Sequence, residues 1–372
     1  MNKVLLFTLL LALACTSKKL DVTHFTINPE ANRSVSISDM ITDLQVIPLE
    51  MTEGSFMREA AKIVAHEGQL YILDRRSSAI FVFTENGVFL DRIANPIEGP
   101  GGIDVIVDFN IGPSGSTVEL LSPKGKIVEY DFLNRSYKEI LNDFENLVAV
   151  ANFAIMDEDT RVFYSSRNSR RLLYYSIDKR EVVSTQYDKS PIGASKFSFF
   201  SPFKEVGNEL YFMDPSENSL YIREGAKFEL VEQYRFTVGD PIGIEWPQQF
   251  EGTSTFSSFL EENALYYPMT SFRYTDQICG FSVAHEGSEN ISFITTRDSG
   301  NWIRLDIPYN ERVVPFLSSD GDYFWGVILD ANLVQEIFSQ SLLDKYGIHT
   351  PDEVDDTYEA NPVLFKYRLS IP

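Results

Sequence analysis

The sequence predicts an all-β protein, a six-bladed β-propeller whose last blade is completed by an N-terminal strand and carries a helical insertion. Two observations predict this fold. Beyond residue 40, short aromatic and β-branched runs alternate with turn residues, which is typical of β-strands. These runs recur at a spacing close to that of propeller blades, which hold several strands in about 40–50 residues.

The repeating unit is an apolar strand, a polar turn, a second strand, another turn and a third strand. In the first unit the predicted strands are 69–74, 79–83 and 88–93. Six positions that we take as equivalent mark six units, with successive spacings of 48, 44, 48, 55 and 57 residues. These positions are Tyr71, Glu119, Phe163, Tyr211, Tyr266 and Tyr323.

Two Ile/Val-rich stretches at the ends of the repeat region, 44–49 and 362–369, are left outside the six units. A closed ring must join its first and last blades, and it exposes no strand edge when an N-terminal strand completes the C-terminal blade. We therefore expect residues 41–372 to form one domain, although the length alone would also suit two.

The N-terminal residues predict export. A short positive start is followed by an apolar run at 4–14, about half the length of a membrane-spanning helix, so 1–14 is predicted to be a signal peptide. Small residues lead directly into Cys15, an arrangement that resembles the bacterial lipobox, in which the cysteine is lipidated. Residues 15–40 would then form a lipidated tether. A plain secretory signal with an incidental cysteine is the alternative.

Composition limits the remaining chemistry. Two cysteines cannot form a disulfide framework, and Cys279 is expected to be a buried, small apolar residue. With 32 basic and 54 acidic residues the net charge is −22, which argues against broad contact with nucleic acid phosphates. We expect a monomeric body without a cofactor.

The segment 330–347 departs from the strand pattern. Val334, Ile337, Phe338 and Leu342 form an apolar stripe that predicts an amphipathic helix inserted in the last blade. Asp330 or Asn332 would cap the helix, and Gly347 would end it. The helix is expected to pack on the propeller; a helix that docks a partner is the alternative.

Several short motifs resemble those of a known family. The turn 99–102 is similar to the Gly-Pro-Gly-Glu turn of the six-bladed β-propeller lipoproteins of Bacteroidetes, which are NHL-like propellers. The segments 86–93, 106–109 and 361–364 resemble that family as well, and the resemblance covers residues 40–372. It implies the propeller fold and a cell-envelope location. It implies no activity, and Gly102 replaces the family's glutamate.

No catalytic motif is evident in the sequence. The segment 112–116 lacks the spacing of a nucleophile elbow, and metal, Walker and dinucleotide motifs are missing. The acidic clusters at 157–159 and 352–356 lack the spacing of a calcium loop and are expected to be solvated loops, with calcium binding as the alternative.

Basic residues gather in the turns between the first and second predicted strands of successive units. Such turns should share one face of the ring, where arginines could bind a carboxylate and aromatic rings could stack on a sugar or peptide. Pairing of these side chains with neighbouring acids is the alternative. The predicted ligand-binding residues are Arg75, Arg76, Arg167, Arg170, Arg273, Tyr274 and Trp246.

Two main functions stay open. The first is a non-catalytic, lipid-anchored outer-membrane propeller, periplasmic or surface-exposed, that binds an anionic, carbohydrate or peptide ligand or a protein partner. The second is an envelope hydrolase or lyase that acts on a carbohydrate or lactone through carboxylates converging on the axis. A weaker third function is an assembly scaffold that docks a partner through 330–347.

Overall fold

Six small β-sheets make up the protein and form the six blades of a β-propeller, as the sequence predicts. The structure is a computed structural model. It describes residues 21–30, 34–94, 103–148, 150–165, 170–188, 201–206, 209–214, 217–245, 247, 253–268, 272–285, 289–297, 299–309, 312–348 and 361–371.

Three strands and one short helix precede the first blade. They are β1 (Thr23–Ile27), β2 (Ser34–Ser36), α1 (Ile37–Met40) and β3 (Ile41–Pro48).

Blades 1 to 3 are four-stranded antiparallel sheets. Blade 1 contains β4 (Lys62–His66), β5 (Gln69–Asp74), β6 (Ala79–Thr84) and β7 (Phe89–Ala94). Blade 2 contains β8 (Asp108–Ile111), β9 (Thr117–Ser122), β10 (Lys126–Asp131) and β11 (Ser136–Asn142). Blade 3 contains β12 (Val150–Ile155), β13 (Thr160–Ser165), β14 (Arg170–Ser176) and β15 (Glu181–Asp188).

Blades 4, 5 and 6 each include one of the three N-terminal strands, β1, β2 and β3 respectively, besides the strands that follow along the chain. Blade 4 contains β16 (Phe203–Val206), β17 (Glu209–Asp214), β18 (Ser219–Glu224) and β19 (Lys227–Phe236). Blade 5 follows helix α2 (Thr253–Glu262) and contains β20 (Tyr267–Pro268), β21 (Arg273–Tyr274), β22 (Ile278–His285), β23 (Glu289–Thr296) and β24 (Ile303–Asp306). Blade 6 contains β25 (Val313–Asp320), β26 (Tyr323–Ile328) and β27 (Val363–Leu369).

The N-terminal strands cover the outer edges of the last three blades. β1 pairs in parallel with β19, β2 in parallel with β24, and β3 antiparallel with β27. Ile47 of β3 lies opposite Leu364, so the predicted closure of the ring is confirmed. β1 and β2 fall inside the predicted tether, yet both belong to the propeller. The reason is local packing, since Ile27 is fully buried and the Phe25 ring stacks on Tyr234 at 5.3 Å.

The hydrophobic core is divided among the blade interfaces. One cluster joins blades 1 and 2 through residues such as Leu73 and Phe109, and the next joins blades 2 and 3. Further clusters join blades 3 and 4, 4 and 5, and 5 and 6, and one in which Ile47 and Trp325 take part joins blade 6 to blade 1. Burying one such large apolar side chain contributes about 1.5–3 kcal/mol. Because each pair of neighbouring blades shares a cluster of such side chains, the ring is held together at six comparable interfaces.

The segment predicted as one amphipathic helix consists of three short helical turns between β26 and β27. They are a 3₁₀ helix (Ala331–Leu333), α3 (Val334–Ile337) and α4 (Gln340–Lys345). The helix breaks because Phe338 is extended, with φ of −104°. Asp330 accepts a hydrogen bond from the Asn332 backbone and is the predicted cap.

The apolar stripe of this segment packs on the core as expected. Val334, Ile337, Phe338 and Leu342 are buried in the cluster between blades 5 and 6, which also holds Met40 of α1. Helix α2 was not predicted; it packs on blade 5 in a separate small cluster. Among the described residues, no helix has the length and apolar character needed to span a membrane.

The order of strands within a blade corrects one prediction. In blades 1 to 4 the three predicted strands are the second, third and fourth, and a further strand precedes them on the inside. β4, β12 and β16 were not predicted: β4 and β16 are short and contain charged residues, whereas β12 is a six-residue, mostly apolar strand that was missed. These innermost strands carry the candidate site.

Candidate functional site

One innermost strand of each blade faces a central cavity of about 580 Å³, which we call the axial cavity. All six blades contribute to its wall through β4, β8, β12, β16, β21 and β25. A cavity of this size suits a small molecule, and such concave sites commonly hold a few polar groups among apolar ones.

Lys62 lies on the wall contributed by β4. Its Nζ donates to Asp108 Oδ1 at 2.8 Å, to the Phe109 carbonyl at 2.6 Å and to Asn110 Oδ1 at 3.1 Å. Asp108 is fully buried and also accepts from the Phe153 backbone at 3.0 Å. Lys62 therefore ties blade 1 to blade 2, and its charge has a buried counter-ion.

Lys204 lies on β16 and is placed differently. Its Nζ donates to the Ser319 carbonyl at 2.8 Å and to Ser318 Oγ at 3.3 Å, both on β25 across the cavity. Burial, followed by the positive charge of Arg273, lowers the pKa of Lys204 to about 7, with a smaller contribution from Lys62 and with Asp320 and Glu205 acting in the opposite direction. The side chain keeps partial solvent access, which we attribute to the cavity that it lines.

Arg273 contributes a second buried cation from β21. Only 4% of its surface is exposed, and its Nε donates to the Leu317 carbonyl at 3.1 Å. Burial lowers the pKa of Arg273 to about 10, a direction expected for a cation taken out of water.

Tyr274, the next residue of β21, also lines the cavity. Its hydroxyl donates to Glu232 at 2.9 Å and lies 2.7 Å from the Tyr234 hydroxyl. Burial raises the pKa of Tyr274 well above its ordinary value, so the phenol stays protonated and donates. The hydroxyl is thus committed to blade 4, and the residue offers the cavity ring surface.

Acidic residues border the axial cavity where it meets solvent. Glu205, Asp276 and Asp320 line it and are exposed. His66 is half-buried, with Nε2 at 3.2 Å from the Gly115 carbonyl. The cavity therefore has cations in its interior and carboxylates, which accept hydrogen bonds, near its opening.

The structure separates the other predicted arginines from the axial cavity. Arg75 Nε donates to the Val107 carbonyl at 3.3 Å, and burial lowers the pKa of Arg75. Arg76 and Arg170 are exposed and form ion pairs with acids, Arg76 with Glu59 and Arg170 with Asp188. Arg167 and Trp246 lie outside the described residues.

The sequence predicted that Arg273 lies in a turn, and this prediction is wrong. It lies on the innermost strand of blade 5, because 273–274 pairs with β22 although only two residues form the strand. Lys62 and Lys204 were missed for a related reason: a lysine in a short polar strand looks like part of a loop. The sequence signal that could have identified these residues is their position along the chain. Each innermost strand ends a few residues before a strongly apolar second strand.

The acidic cluster at 157–159 is a structured turn. Asp157 accepts from the Thr160 backbone at 2.7 Å, and Asp159 accepts from the Asp178 backbone at 2.7 Å and Ser176 Oγ at 2.7 Å. The cluster at 352–356 and the turn at 99–102 lie outside the described residues. In the described part of the chain, no group of three or more His, Cys, Asp and Glu side chains could hold a metal ion.

Comparison with known proteins adds a family. A family model described as Domain of unknown function (DUF4934) matches residues 21–368. No curated protein matches the chain significantly. The resemblance to NHL-like propeller lipoproteins stays a prediction, whereas the fold that it implied is confirmed.

Two solved structures are similar in fold. A Bacteroides fragilis NCTC 9343 protein described as exported gives a TM-score of 0.70 at 12% identity, covering 94% of this chain and 100% of that chain. A DUF4221 family member from Bacteroides vulgatus ATCC 8482 gives a TM-score of 0.56 at 8% identity, covering 89% of this chain and 97% of that chain. At such identities the similarity shows the fold alone.

Proposed function

We propose that this protein, which belongs to the family described as Domain of unknown function (DUF4934), binds a small anionic ligand in its axial cavity. The observation that carries the proposal is Lys204. Its amine faces the cavity, and its hydrogen-bond partners are the Ser319 carbonyl and Ser318 Oγ rather than a carboxylate.

A largely desolvated lysine that contacts, among the described residues, a carbonyl and a hydroxyl instead of a carboxylate is costly, because loss of water penalises the ammonium form. Such groups are concentrated at functional sites, where a ligand supplies the missing charge. Arg273 adds positive charge to the same wall, and the exposed Glu205, Asp276 and Asp320 can accept hydrogen bonds from ligand hydroxyls. A small carboxylate with a polar body fits this arrangement.

The deepest ionisable groups on the wall favour binding over hydrolysis. Hydrolysis by axial carboxylates needs acids at the centre, whereas Lys62, Lys204 and Arg273 place cations there. Asp108, a buried acid beside them, already forms an ion pair with Lys62.

We expect small carboxylates to bind to the full-length protein, as measured by titration calorimetry with acetate, pyruvate, glucuronate and inorganic phosphate. Replacing Lys204 with methionine should weaken the binding roughly tenfold or more, since a hydrogen bond to a charged group contributes about 1.5–3 kcal/mol.

Lys124→Met is the matched control for this titration. Lys124 is 62% exposed, pairs with Asp104 and lies outside the cavity wall, so its removal should leave the affinity within about twofold. If the wild type bound none of the four anions, or if both variants lost affinity equally, the proposed site would be wrong.

We further propose that the protein is exported and attached to a membrane by lipid on Cys15. The apolar run 4–14 and the small residues before Cys15 support this, and a structural neighbour described as exported supports the export alone. Cys15 itself lies outside the described residues.

Fractionation of a Gram-negative host that expresses the full chain tests the anchor. Wild-type protein should sediment with membranes, whereas Cys15→Ala should move to the soluble fraction. Cys279→Ala is the control, because that thiol is buried in blade 5 and should not affect attachment. Wild-type protein in the soluble fraction would contradict the lipid anchor.

A further inference from the structure

The amine of Lys204 has the surroundings of a nucleophile. A neutral amine carries two hydrogens, and Lys204 has two acceptors at hydrogen-bonding distance, the Ser319 carbonyl and Ser318 Oγ. When both hydrogens are donated, the nitrogen lone pair is left for another partner in the cavity. Lys62 differs, since its three acceptors match the three hydrogens of an ammonium group.

The protonation of Lys204 agrees with this geometry. Burial and the nearby charges of Arg273 and Lys62 lower the pKa of Lys204 to about 7, so about half of the molecules carry the neutral amine near neutral pH. Desolvation together with a neighbouring cation is a recognised way to activate a lysine for attack on a carbonyl.

We propose that Lys204 captures the carbonyl carbon of a small 2-oxo carboxylate in the axial cavity and forms an imine with it. The inference rests on the proposed function, because the cavity must first admit the carboxylate. Arg273 would have two effects: its charge attracts the carboxylate and also favours the neutral form of the amine.

The step balances without a further reagent. The nitrogen lone pair forms a bond to the carbonyl carbon, and the carbonyl π electrons move to oxygen, which takes up a proton as the nitrogen releases one. The resulting hydroxyl leaves with the second amine hydrogen as water while the C=N bond forms. Amine and ketone give imine and water, and nothing is oxidised or reduced.

Reductive trapping tests the proposal on the full-length protein. The protein is incubated with pyruvate and sodium cyanoborohydride, which reduces the imine to a stable amine, and the modified lysine is located by peptide mass spectrometry. We expect Lys204 to be labelled at least roughly tenfold more than any other lysine near pH 7, because an ordinary lysine side chain in water, with a pKa of about 10.4, is almost entirely protonated at that pH. Labelling should rise with pH, reach half of its maximum near pH 7 and level off about one to two pH units higher, following the neutral fraction.

Two variants sharpen the trapping experiment. Lys204→Arg keeps the charge and removes the nucleophile, so it should lose the dominant adduct, whereas Lys124→Arg should retain it. Since site mapping uses the wild type, the result does not depend on how well Lys204→Arg folds.

The outcomes separate the two proposals. Dominant labelling of Lys204 supports the imine. Reversible binding of pyruvate without an adduct, or equal labelling of Lys204 and surface lysines, overturns the imine and leaves the anion site standing. If none of the four anions bound and no adduct formed, both proposals would be wrong.

Discussion

Replacing Lys204 with methionine should stabilise the folded protein by roughly 3 kcal/mol below pH 7, although it should weaken ligand binding. The folded-state pKa of Lys204 is about 7, against 10.5 for an ordinary lysine, and each unit of difference corresponds to about 1.4 kcal/mol. We reduce the full value because cavity water screens the charge and because the Ser319 carbonyl loses a donor.

The pH dependence has a definite sign. Between pH 7 and 10.5 the unfolded chain keeps the Lys204 proton and the folded protein releases it, so wild-type stability from this group rises with pH. The advantage of the methionine variant should therefore be largest below pH 7 and disappear above 10.5. Among the described residues, the charged or titratable groups that line the axial cavity with Lys204 are Lys62, His66, Glu205, Arg273, Tyr274, Asp276 and Asp320.

Urea unfolding of both proteins at about pH 6, 8 and 10 measures this difference. Because the two chains share all other titratable groups, their difference isolates Lys204. Lys124→Met should change stability by no more than about 1 kcal/mol at every pH. If Lys204→Met were destabilising and independent of pH, Lys204 would be an ordinary structural cation. If Lys204→Met is more stable than the wild type but binds the anions more weakly, the protein shows the trade-off between stability and function that is expected of a functional residue.

Replacing Glu119 with glutamine should destabilise the protein by about 3–5 kcal/mol, a large part of a typical folding free energy of 5–15 kcal/mol. Arg161 Nε donates to Glu119 Oε2 at 2.7 Å and its Nη2 donates to Oε1 at 2.5 Å, joining blade 3 to blade 2. The two side chains are 4% and 1% exposed, so the variant leaves a buried guanidinium without its counter-ion.

Denaturant unfolding of three variants checks this result. Asp188→Ala breaks the exposed pair with Arg170 and should cost less than about 1 kcal/mol. The double variant Glu119→Leu with Arg161→Met should recover most of the lost stability, because removing both charges leaves no unpaired ion. If Glu119→Gln were as mild as Asp188→Ala, the blade interface would not depend on this ion pair.

The repeat could be predicted because each blade is built from strands that follow one another in the sequence. Strands such as 69–74 and 79–83 are neighbours in sequence. Their apolar residues form nearly continuous runs, because both faces of each strand are buried between adjacent blades. The closing pair of β3 and β27 was also accessible, since a closed ring leaves no other use for two apolar strands at its ends. The short innermost strands β4 and β16 were not, because strands that line a cavity can carry charged residues in place of a continuous apolar run.

The candidate site shows the same division. Arg273 and Tyr274 were selected from the sequence as members of a rim, and they lie on the cavity wall instead. Lys62 and Lys204 carried no local pattern that would distinguish them from surface lysines. What distinguishes them is depth in the ring, which depends on strands far apart along the chain.

By itself, the sequence determined the six repeated units and the helical insertion, because both depend on burial patterns within tens of residues, and it determined the closing strand because a closed ring must join its two ends. Only the tertiary structure decided which charges meet. It brings Lys204 to Ser319 and near Arg273, and it ties Lys62 to Asp108, while Arg76 and Arg170 pair at the surface. Charge carries no periodicity of its own, so its effect depends on the desolvation and the neighbours that the closed ring creates.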